Sequence, residues 1–88
     1  MDKLKELRNQ IDGIDKQMLN LLNDRVKIAI EIAEVKKENN LDFYDPEREE
    51  QIIETLQELN SGPFPNVALR AVFKQIFSAS LSLEQLAK

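Results

Sequence analysis

The 88-residue, 10.2 kDa chain is one domain at most, because domains commonly run about 100–200 residues. It contains no histidine, cysteine or tryptophan, which excludes a Cys/His zinc site, a thiol nucleophile, a histidine general base and any disulfide. With 12 Lys+Arg against 16 Asp+Glu the net charge is −4 and the pI near 4.8, which argues against nucleic acid or an acidic membrane as a bulk partner.

Apolar runs are only a few residues long, so the sequence holds no membrane span and no signal-peptide core. Cysteine usage fits an intracellular, cytoplasmic protein. Two glycines and three prolines imply few turns and long elements. The expectation is a small, acidic, all-α domain.

Leu4, Leu7, Ile11, Ile14, Met18, Leu21, Ile28, Ile32 and Val35 recur at heptad a/d spacing, which predicts one helix over residues 3–38. The single slot of that register that is not apolar is Arg25. Leu22 and Ala29 widen the stripe on one side. Residues 38–44 lack helical periodicity and read as a loop. A second helix, over 46–60, opens at Asp45-Pro46, with Asp45 as N-cap and Pro46 at the first helical position. Its apolar positions are Ile52, Ile53, Leu56 and Leu59, and Asn60-Ser61-Gly62-Pro63 breaks it. A third helix, over 66–86, carries Leu69, Phe73, Ile76, Phe77 and Leu81.

A helix over 3–38 spans roughly 54 Å, whereas a compact chain of this length is roughly 30 Å across. The seam would stand bare in a monomer, so an intertwined homodimer of three-helix chains is expected.

Several charges lie on or beside apolar faces. Arg25 occupies a core slot, and Lys36, eleven residues on, is only ~20° off its stripe at ~100° per residue. Arg8 flanks the seam near the other end. Arg48 and Glu49 stand one turn before Ile52 and Ile53, and Ser80 and Glu84 extend the Phe73–Phe77 stripe. A lone polar seam residue can set register, and flank cations can snorkel. Together, however, the cations Arg8, Arg25, Lys36 and Arg48 outnumber the acids Glu49 and Glu84, and an anion is the economical partner. Arg8 and Arg25 lie about 25 Å apart along one helix, so one small anion meets both only where an antiparallel second chain supplies Arg8.

The pattern Leu7-Arg8, Ile14-Asp15, Leu21-Leu22-Asn23-Asp24-Arg25, Lys36 and Asp45-Pro46-Glu47-Arg48-Glu49 resembles the all-helical chorismate mutases over nearly the whole chain. The resemblance implies intertwined homodimers that convert chorismate to prephenate without metal or cofactor. Carried over position by position, it makes Arg25 and the other subunit's Arg8 carboxylate ligands, and it puts Lys36 on a carboxylate and the ether oxygen. Asp45 and Glu49 would hold the ring hydroxyl and the start of the helix backbone. Arg48 would join the carboxylate cluster, Ser80 would line the site, and Ile32, Phe77 and Leu81 would form apolar walls. Glu84, where many members have glutamine, would face the ether oxygen with Lys36. That makes Lys36, Glu84 and Arg25 the expected catalytic groups, with Glu84 protonated in its apolar pocket.

The Ser61-Gly62-Pro63-Phe64 turn and the Phe73-Lys74-Gln75-Ile76-Phe77 stretch further resemble mutase domains fused ahead of 3-deoxy-heptulosonate-7-phosphate synthase. On that reading, residues 1–88 are an excised N-terminal domain ending in Leu86-Ala87-Lys88. The alternative function is a helical dimerisation or regulatory module that senses chorismate or prephenate for such a synthase.

Overall fold

The computed structural model describes residues 1–86, so the chain end at Ala87-Lys88 lies outside the described residues. It contains three helices, α1 (Asp2–Glu38), α2 (Pro46–Leu59) and α3 (Asn66–Leu86). The first is very long, and the molecule measures 56 × 26 × 16 Å. None of the helices among the described residues is long and apolar enough to cross a membrane.

Local chemistry sets the breaks. After α1 the Asn39 side chain bonds back to the Val35 carbonyl at 2.8 Å. Asn40 takes the left-handed conformation (φ 57°) that asparagine tolerates better than most residues, and Leu41 N–H then returns to the Lys36 carbonyl at 2.8 Å. The Asp45 side chain caps α2 by accepting the Arg48 backbone N–H at 3.1 Å, with Pro46 at the first helical position. Asn60 organises the α2–α3 turn. Its amide donates to Phe64 O and Asn66 Oδ1, both at 2.7 Å, and its oxygen accepts Gly62 N–H at 2.9 Å.

α3 packs against both other helices, while α1 and α2 do not pack directly on one another. The buried apolar residues are few among those described: Ala33, Ile53, Leu69 and Phe77. The face of α1 turned to α3 is not the heptad seam. It runs through Val26, Ala29, Ile30 and Ala33, all half-buried or buried, while Ile28, Ile32 and Val35 stay 50–58 % exposed. The apolar residues of the seam, from Leu4 to Val35, are all exposed, and of its slots only Arg25 is half-buried.

The accessible surface is 7218 Å². A compact monomer of this mass exposes about 5,300 Å². The chain thus shows roughly 1,900 Å² more than a self-sufficient fold would, and most of its exposed large apolar side chains lie on α1.

Candidate active site

The gap between α1 and α2, floored by α3, is a solvent-open cleft of about 260 Å³. α1 supplies Arg25, Ile28, Ala29, Ile32 and Lys36 at one-turn intervals; the α1–α2 loop and cap supply Phe43 and Asp45. α2 adds Arg48, Glu49 and Ile52, and α3 adds Phe77, Ser80, Leu81 and Glu84. The structure therefore brings together ten of the residues singled out from the sequence and leaves one, Arg8, far along α1. Heptad spacing does not single out Ile28, Ala29, Phe43 and Ile52 as lining. Ile28 and Ile52 were findable as the residues one turn beyond Arg25 and Arg48. Phe43 carries no local signal, because loop geometry alone brings it in.

Each cation is held differently. The Arg25 guanidinium lies 5.3 Å from the centroid of Phe77, whose ring is buried; the pairing orients it and offsets part of its desolvation. Lys36 Nζ donates to the Phe43 carbonyl at 3.1 Å, which uses one of its three protons and leaves two for a ligand. Arg48 gives only its backbone N–H to the Asp45 cap, and its side chain is exposed at the cleft mouth.

The acids are equally distinct. Burial pushes the Glu84 carboxyl above its usual range, opposed by the charges of Lys36 and Arg25. Glu49 faces Lys74 Nζ at 3.8 Å, a cation that does not line the cleft. Below it Arg70 pairs with Glu50 at 2.8 Å and holds that carboxyl under its ordinary value, tying α2 to α3.

The arrangement suits a small anionic ligand: three cations, Arg25 and Lys36 from α1 and Arg48 from α2, share one cleft with apolar side chains. Nothing in it resembles a nucleophile with an adjacent base.

Residues 7–85 match the family profile described as chorismate mutase type II. The bifunctional chorismate mutase/prephenate dehydratase of Aquifex aeolicus is 47 % identical over an alignment of 89 positions that covers 97 % of this chain and 25 % of that protein. The chorismate mutase of Methanocaldococcus jannaschii is 37 % identical over 59 residues, 67 % of this chain and 60 % of that one. A solved structure of chorismate mutase (form II) from Thermus thermophilus superposes with a TM-score of 0.92 at 40 % identity, covering 94 % of each chain. The chain spans about a quarter of the length of the bifunctional relatives. The second activity named in these relatives is a prephenate dehydratase and not the synthase that the sequence resemblance suggested. The profile match over residues 7–85 and the superposition over 94 % of the chain agree, and the chain belongs to the type II chorismate mutases, which are isomerases.

Proposed function

We propose that the cleft binds chorismate as its dianion and isomerises it to prephenate, a step of phenylalanine and tyrosine biosynthesis. The observation that carries this reading is the convergence of Arg25, Lys36, Arg48 and Glu84 from three helices on one apolar-walled cleft. In this rearrangement the ether C–O bond breaks as a new C–C bond forms within one molecule. No proton has to move and no group has to attack, so the missing histidine and cysteine cost nothing.

Two tasks remain for the protein. Arg25 and Arg48 grip the carboxylates and hold the compact conformer in which the reacting carbons touch. Lys36 and a protonated Glu84 donate to the ether oxygen as negative charge develops there. Glu49, and the Asp45 oxygen not used in the helix cap, accept from the ring hydroxyl. Ile32, Leu81, Ser80 and the Phe77 edge exclude water.

The site is completed by a second copy. An antiparallel pairing of the α1 seams covers the surplus of about 1,900 Å² per chain, a scale expected of obligate dimers. It also slides the Arg8 of one chain beside the Arg25 of the other, and it creates two equivalent sites related by a two-fold axis. Mixing the pure chain with chorismate and following the loss of its ultraviolet absorbance tests the reading. Turnover supports it, whereas intact helical dimers without turnover would favour the sensing module.

A further inference from the structure

The formal charge around the cleft poses a difficulty for anion binding. The chain's own lining carries three cations, Arg25, Lys36 and Arg48, and three carboxylates, Asp45, Glu49 and Glu84. A dianion gains little from a neutral set unless each carboxylate is otherwise engaged. Asp45 caps α2, accepting the Arg48 N–H at 3.1 Å with one oxygen, and the positive end of the helix dipole offsets part of its charge. Glu84 is driven toward its neutral form by burial. Glu49 is different, because its countercharge comes from outside the cleft. Lys74 Nζ sits 3.8 Å from its carboxylate and 3.5 Å from Glu50, itself gripped by Arg70 at 2.8 Å. The Glu49 side chain is 19 % exposed and that of Lys74 45 %, so the carboxylate is sheltered while the ammonium reaches solvent.

We propose that Lys74 is a positioning residue for the anion site: it holds the Glu49 carboxylate on the α3 side of the cleft and offsets its charge, which leaves Arg25 and Arg48 to the substrate. The inference rests on the chorismate mutase reading of the cleft. Without Lys74, Glu49 swings toward the remaining guanidiniums and competes with the dianion for them. The loss falls on substrate binding and not on the chemical step, because the ether oxygen is served by Lys36 and Glu84.

Kinetics of the full chain at low ionic strength test this with K74M, K74R and K74M combined with E49Q. K74M should raise KM about threefold to tenfold with kcat within about twofold, and K74R should restore most of the loss. In the E49Q background the same lysine change should move KM by less than about 1.5-fold, since no carboxylate remains to compete. An unchanged KM in K74M, or an equal rise in both backgrounds, overturns the proposal. A crystal structure of K74M reads the same point without turnover. Glu49 should lie within hydrogen-bonding or ion-pairing reach of Arg25 or Arg48, and an unmoved Glu49 overturns the proposal. Should the wild-type chain fail to turn over chorismate, the mutase reading falls, and this structure alone decides the role of Lys74.

Discussion

The two halves of α1 carry the same heptad pattern and meet different fates. From Arg25 onward the helix shows α3 a second apolar face, Val26–Ile30–Ala33, and is anchored by it. Before Arg25 every residue is exposed, including Leu4, Leu7, Ile11, Ile14 and Met18. One half is thus packed by its own chain and lines one side of the cleft, while the other is an amphipathic arm carrying Arg8. The apolar seam runs through both halves and its side chains are exposed in each; the proposed pairing with a second copy would cover it.

The largest expected effect comes from breaking that seam. Ile14→Lys puts an unpartnered charge into an apolar interface twice per dimer and should cost roughly 4 kcal/mol or more. Sedimentation should then show a species of half the wild-type mass together with loss of helical circular dichroism. A wild-type-like dimer would mean the bare half is not the interface.

Next come the two arginines that divide between the halves. Arg25→Ala should lower kcat/KM about 10²-fold or more, because it removes a carboxylate ligand that holds the reacting carbons in place. Stability should stay within about 1 kcal/mol, because a half-buried charge and its cation–π contact disappear together. A large fall in melting temperature would instead make Arg25 structural. Arg8→Ala should be comparably inactive although it lies outside the chain's own cleft. Mixing the two inactive variants sharpens the comparison: random exchange makes half of the dimers mixed, each with one intact site, so about a quarter of wild-type turnover should return. No recovery after exchange would place Arg8 elsewhere.

The smallest effect is a matter of pH. Glu84 binds its proton more tightly in the folded chain than its ordinary value of 4.5 implies. Its protonated form, the donor, is therefore complete below 4.5 and is lost as pH rises through the raised value. Both its stability contribution and turnover should decline in that window on the alkaline side. Glu84→Gln donates at every pH, so its kcat/KM profile should be flat where the wild type falls. Identical profiles would remove Glu84 from the chemistry.

Much of this organisation is legible locally. Asp45-Pro46 announces a capped helix start because both groups act on their immediate neighbours, and the structure has Asp45 on the Arg48 N–H. The Arg25 and Lys36 spacing announces a shared stripe because a helix converts sequence distance into angle. The α3-facing side of α1 is less legible. Val26, Ile30 and Ala33 follow helical spacing too, but the stronger heptad masks them. The Glu49–Lys74 pair and the Phe43 carbonyl on Lys36 have no sequence signature, since each joins groups from different elements.

The sequence by itself therefore determined three helices, an apolar seam running the length of the first, and which charges lie on or beside apolar faces. Those properties arise from periodicity and capping, which act over a turn or two. Only the tertiary structure decided which acids are engaged and which cations are left available. That depends on how α3 lies across α1 and α2, and a linear order of residues does not encode distances of 3–4 Å between helices. A net charge of −4 and a cleft fit for a dianion coexist for that reason.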